Sequence, residues 1–129
     1  MAEGVVIRAA HYPGRAPIDS YGNGGFRFAG MSHRGSLLCL PSGIYGWDSP
    51  APAALDAASL ERVFAEADAI EILLVGTGVS LVPIGAALKE RCRELRIVAD
   101  PMSTGAAVRT FNVLLAEERA VAAALIAVD

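Results

Sequence analysis

A ligand-holding or reactive centre in this sequence would have to draw on two predicted turns, Gly76-Thr77-Gly78-Val79-Ser80 and Asp100-Pro101-Met102-Ser103-Thr104-Gly105. Each follows an apolar run and precedes a helical pattern. A glycine turn at the end of a strand presents backbone N–H groups that can hold an anion. Thr77, Ser80, Ser103 and Thr104 add hydroxyls, and Arg109 adds a planar fork suited to a carboxylate or phosphate. Arg109 and Asn112, three residues apart, share one side of a helix, with Thr110 between them. The candidate ligand- or partner-binding set is therefore Gly76, Thr77, Gly78, Ser80, Ser103, Thr104, Arg109, Thr110 and Asn112.

Each member also has a plainer role. Gly76-Thr77-Gly78 is half of a dinucleotide fingerprint, lacking the third glycine, and Asp100 is the nearest acidic candidate at a later strand end. A tight turn that lets strand and helix pack closely explains it as well. Capping is nearly sufficient for Ser103 or Thr104. Arg109 points away from the apolar stripe of its helix, so it either grips a ligand or clamps the helix to the β-rich N-terminal half.

No nucleophile and base stand at related spacings. Ser80 is not in a G-x-S-x-G elbow. His11 and His33 lie in predicted loops, with nothing to place either beside a serine. Two His and two Cys at unrelated spacings give no metal site, and no cofactor is indicated. Glu117-Glu118 reads as a solvated pair at a helix end. These features favour a non-enzymatic protein.

The elements that must position these residues come from periodicity. Glu71–Val75 and Arg96–Ala99 have the length and branching of buried strands. Each is followed by a turn and a helix (Pro83–Arg93 and Gly105–Arg119), which predicts parallel strands with both turns at one sheet edge. The second helix has its apolar stripe at Ala107, Val108, Phe111, Leu114 and Leu115, with Asn112 toward the margin. Val121–Val128 suits a buried strand. Val5–Ala9 is a first strand and His11–Pro17 a loop. From Ile18 to Trp47, short strands broken by glycine predict an antiparallel meander or pair of hairpins, including Ser36–Leu40. Asp48–Ala58 is a surface connection, and Ser59 is an N-cap for a short helix over Leu60–Ala67. The 129 residues form one domain, with a meander at 5–47 and an α/β half at 59–128.

Composition narrows the function classes. A net charge of −3 without basic runs excludes a nucleic-acid stripe. The most apolar window, Ile70 to Leu88, carries Glu71, Gly76, Gly78 and Pro83 and reads as strand-turn-helix, so an integral membrane protein is not expected. Cys39 and Cys92 are expected to be reduced and structural. The Arg- and Ala-rich usage fits a GC-rich bacterial genome. With no positively charged leader before an apolar run, a cytoplasmic location is expected.

Several of these stretches together resemble a known family. Tyr21-Gly22-Asn23-Gly24-Gly25-Phe26-Arg27-Phe28, Leu40-Pro41-Ser42-Gly43 with Trp47, Leu74-Val75-Gly76-Thr77-Gly78, and Met102 to Asn112 with Leu114-Leu115-Ala116-Glu117 are similar to a small α/β domain family of mostly unknown function. That family includes the mitochondrial complex I assembly factor three. The resemblance runs from about Ile18 to Ile126. It implies a three-layer α/β fold with a mixed central sheet and an additional β-layer. For the mitochondrial branch it also implies a role as a non-catalytic partner in building the respiratory NADH dehydrogenase, which points to other assembly factors or respiratory-complex subunits as partners. Ser103 stands where an acidic residue is usual in the family and Val108 where a cysteine is usual, so neither position carries acid or thiol chemistry here. The competing expectation is a small-molecule enzyme or anion-binding protein acting at the C-terminal edge of the parallel strands.

Overall fold

The computed structural model describes residues 11–129. The strand expected at Val5–Ala9 lies outside them. The domain is an α/β sandwich built on a mixed five-stranded sheet. Three antiparallel strands, β1 (Ile18–Gly22), β2 (Gly25–Phe28) and β3 (Met31–Arg34), form a separate sheet. The central sheet contains β4 (Ser36–Leu40), β5 (Gly43–Trp47), β6 (Ile72–Gly76), β7 (Val98–Met102) and β8 (Val121–Leu125), in the order β5-β4-β8-β6-β7.

Turn chemistry explains the hairpins. Asn23-Gly24 links β1 to β2 and Ala29-Gly30 links β2 to β3, and all four residues have positive φ. That is the type I′ geometry whose twist matches paired strands. The meander then divides. The β4–β5 hairpin leaves the small sheet because β4 pairs with β8, joining the N-terminal half to the α/β half.

The middle strand β8 is buried throughout, and Ala122, Ala123 and Ala124 are fully inaccessible. Small side chains there let layers approach closely on both faces. On one face Leu38, Leu73, Val75 and Ala124 pack with Leu60, Val63 and Leu88. On the other, Leu37, Cys39, Leu74 and Leu125 pack with Phe26, Phe28, Ala107, Val108 and Phe111. A strand covered on both sides reads as a continuous apolar run, as β6 and β8 do. Burying each large aliphatic or aromatic side chain contributes about 1.5–3 kcal/mol. Cys39 and Cys92 are free and buried, one on each face.

Among the described residues three helices have α character: α1 (Glu61–Phe64), α2 (Ala86–Glu94) and α3 (Thr104–Ala116). The helix expected over Leu60–Ala67 is broken into α1 and flanking 3₁₀ turns at Ala58–Leu60 and Ala67–Ala69. Ser59 is not its N-cap. It closes a ring with Asp56 instead: its N–H donates to Asp56 Oδ1 (2.9 Å), and Asp56 N–H donates to Ser59 Oγ (3.1 Å).

The helix expected from Pro83 begins at Ala86 after the extended Gly85. Ile84, in that lead-in, fills the core beside Leu88. Asp100-Pro101-Met102, expected as a turn, completes β7. The Val98 N–H donates to Glu71 and the Met102 carbonyl accepts from Thr77. Backbone alternation therefore turns Pro101 outward, where its missing N–H costs the ladder nothing.

Candidate functional site

Strands β6 and β7 run parallel and in register, Gly76 beside Met102, so the two turns meet at one sheet edge. Two threonines sew them together. Thr77 is buried; its hydroxyl lies 2.8 Å from the Ser80 carbonyl and 3.0 Å from the Met102 carbonyl, and it accepts the Val82 N–H at 2.9 Å. Thr104, fully buried, donates to the Ile126 carbonyl at 2.6 Å and accepts the Gly78 N–H at 3.0 Å. The Thr104 N–H returns to the Gly78 carbonyl, and the Thr77 N–H to the Met102 carbonyl. Gly76 lies tight against Thr104, where a Cβ would meet its Cα at 3.0 Å. The amides and hydroxyls expected to face a ligand are thus largely taken up in holding β6, β8 and α3 together.

Ser103 is the N-cap of α3, accepting from the Ala106 N–H at 3.3 Å. Ser80 is exposed, and its carbonyl serves Thr77. Arg109 is exposed and makes no hydrogen bond or ion pair among the described residues. The clamp belongs to Asn112. Its Oδ1 accepts the Ile18 N–H at 2.8 Å and its Nδ2 donates to the Ile18 carbonyl at 2.8 Å. This amide completes the missing backbone partner of β1 and ties α3 to the small sheet. Thr110 falls on another side of α3, lining a groove beside β7. The nine expected positions therefore separate into a buried seam, an exposed turn serine, a cap, a clamp, an exposed guanidinium and a groove wall.

Tyr21 was not among the expected site residues. Its hydroxyl sits so close over Gly105 that any Cβ there would collide with it, and Arg109 is its neighbour at the same helix start. Tyr21, Val79 and Leu81 are exposed large apolar side chains, and Val79 is 87% exposed. The loop bearing Val79 and Leu81 is bound at Gly78 to the first residue of α3, and Tyr21 covers the second. One end of the sheet thus carries exposed apolar side chains and a guanidinium without a partner among the described residues. Only the hydrophobicity of Val79 and Leu81 within a turn could have signalled this in the sequence.

The two histidines expected in separate loops come together. Their ring centroids lie 4.4 Å apart, over Gly46. His33 Nε2 is 3.1 Å from the Ser36 carbonyl, while His11 Nε2 is buried without a partner among the described residues. Burial, and secondarily the charge of His33, lowers the His11 pKa. The described residues hold no group of three or more potential metal ligands.

Residues 18–126 match a family described as "Protein of unknown function (DUF498/DUF598)". The chain belongs to this family. An uncharacterised protein of Rhodobacter capsulatus is 39% identical over 119 residues, covering 92% of this chain and 90% of that one. The NADH dehydrogenase [ubiquinone] 1 alpha subcomplex assembly factor 3 of Danio rerio is 32% identical over 109 residues, 84% of this chain but 63% of that protein. The chain thus spans somewhat less than two thirds of that assembly factor's length. A solved structure described as an outer membrane protein from Bartonella henselae shares 62% identity, covers 92% of this chain and 100% of that chain, and has a TM-score of 0.88. The DUF498 family therefore joins bacterial proteins without assigned roles to named assembly factors. Among the described residues no helix is long and apolar enough to cross a membrane.

Proposed function

We propose that this protein is a non-catalytic protein-binding module that serves the assembly of respiratory complex I. The observation that carries this reading is the division of labour at the sheet edge. The buried hydroxyls are taken up internally, while Tyr21, Val79, Leu81 and Arg109 stand exposed around the start of α3. Tyr and Arg are enriched at the centres of protein interfaces, and the exposed Val79 and Leu81 add apolar area beside them. The relationship to the NADH dehydrogenase assembly factors supplies the partner class, subunits or co-factors of assembly. In this reading the protein works in the cytoplasm.

The test is affinity capture of the tagged chain from its own organism, beside a Leu81→Asp variant and an Arg109→Glu variant. Respiratory-complex subunits or assembly proteins should be enriched with the wild type and lost with both variants. A deletion strain should contain less assembled complex I. Normal complex I in that strain, with no partner captured above background, would sink the reading.

A further inference from the structure

We propose that the free edge of β7 is the interface of a twofold dimer of this chain, formed by antiparallel pairing of β7 with its copy about Val98. In the sheet order β5-β4-β8-β6-β7, β7 has a neighbour on one side only among the described residues. The opposite edge, β5, is partly covered by the bridge between Tyr12 and Ile44. Beside β7 runs a groove of about 520 Å³, with Ile72 and Leu74 of β6, Val98 and Asp100 of β7, and Thr110 and Leu114 of α3 among its lining. Val98 is 66% exposed, although it sits in the central sheet. Arg96, Asp100, Glu71 and Arg119 also line the groove, and none forms an ion pair among the described residues.

The order of side chains chooses the occupant. Val98 and Asp100 of β7, and Arg96 in the left-handed turn (φ 61°) that leads into the strand, line one face of the edge. Antiparallel pairing about Val98 sets Val98 on its copy and brings Arg96 of each chain, at the strand's entry, toward Asp100 of the other, giving two ion pairs by symmetry. Centring the pair on Ile97 or Ala99 instead sets Arg96 against Val98 or Met102 and leaves the charges unmatched. Parallel alignment of like residues sets like charges together. An isologous interface must be self-complementary, and this register meets that condition.

The backbone agrees. Val98 N–H and Met102 C=O point to β6, so alternation turns the Ala99 N–H and the Ile97 carbonyl outward. In the Val98-centred register these two groups oppose each other, giving one hydrogen bond in each direction. Pro101 has no N–H to offer, and the Ile97 N–H is held by the Cys92 carbonyl, so the ladder stops there. The contact is short, and the dimer should dissociate on dilution.

Sedimentation velocity on the full chain over a wide concentration range tests this at low salt, where the ion pairs are least screened. The wild type should pass from monomer to dimer with rising concentration. Arg96→Asp opposes two carboxylates and Asp100→Arg opposes two guanidinium groups, so each should weaken its own dimer by about tenfold or more. Position 96 has φ 61°, a conformation that Asp tolerates well, so the first variant should fold. Mixing the two variants restores opposite charges at both contacts and should restore dimer formation. In hydrogen exchange of the wild type, the Ala99 amide should gain protection as concentration rises. A wild type that stays monomeric, single variants that dimerise as well as wild type, or a mixture no better than its components would each overturn the proposal. If a variant fails to fold, unchanged exchange at Ala99 in a concentrated wild-type sample overturns it equally. Success or failure of partner capture at the α3 start does not bear on this outcome.

Discussion

Replacing Asn112 with alanine should destabilise the domain far more than its half-buried place at the side of a helix suggests. The amide makes two bonds of 2.8 Å to one residue, accepting the Ile18 N–H and donating to the Ile18 carbonyl. Ile18 itself is 3% exposed, so its backbone is poorly placed to recover water. Each bond contributes about 1 kcal/mol net, and each orphaned group adds a desolvation cost, so a loss of about 2–4 kcal/mol is expected. With an unfolding entropy of about 2.1 cal/mol/K per residue, 129 residues give about 0.27 kcal/mol/K and a fall in Tm of roughly 7–15 °C. Urea melts followed by far-UV circular dichroism would measure it, with Arg109→Lys as the control. Arg109 is exposed and has no hydrogen-bond partner among the described residues, so the control should superimpose on wild type. Asn112→Asp separates the two bonds. Its carboxylate still accepts the Ile18 N–H but opposes the Ile18 carbonyl, so it should be unstable at neutral pH and recover part of the loss when protonated. Wild-type-like melts for Asn112→Ala, or a larger effect from Arg109→Lys, would refute the assignment of the clamp.

Thr104→Val keeps the shape of a fully buried side chain while removing the donor to Ile126 and the acceptor for Gly78. A loss of about 2–4 kcal/mol in chemical denaturation is expected, whereas Thr104→Ser should retain most of the stability. The His11 pair should make stability depend on mildly acidic pH. Because burial, and then His33, lowers the His11 pKa from 6.5, the neutral ring is favoured in the fold. Its contribution is complete above the unfolded value and lost as pH falls through the folded one. His11→Gln should flatten that part of a stability–pH curve, which thermal melts across the range would reveal. The facing groups to be controlled in that comparison are His33 of β3, with Gly46 of β5 and the Ser36 carbonyl of β4 around the pair.

Local sequence was enough for the α/β class, the parallel strand-turn-helix units and the meeting of two turns at one sheet edge. Buried parallel strands must be continuously apolar, and a crossover between them has one hand, so Leu73-Leu74-Val75 and the helix stripe through Phe111 leave few alternatives. Asn23-Gly24 likewise announces its hairpin. The family's residue pattern added the three layers. Which strands share a sheet was decided by tertiary contact, because β4 pairs with β8 across more than eighty residues of chain and no local pattern specifies that partner. The same holds for the site. Thr77 and Thr104 look like ligand hydroxyls until the carbonyls of Met102 and Ile126 are brought against them. Arg109 and Asn112 are three residues apart on one helix, yet one faces solvent and the other meets the backbone of Ile18. Periodicity ranks residues by their angle from the core, but a hydrogen bond needs a partner at a definite distance. That partner comes from another element, and only the assembled fold supplies it.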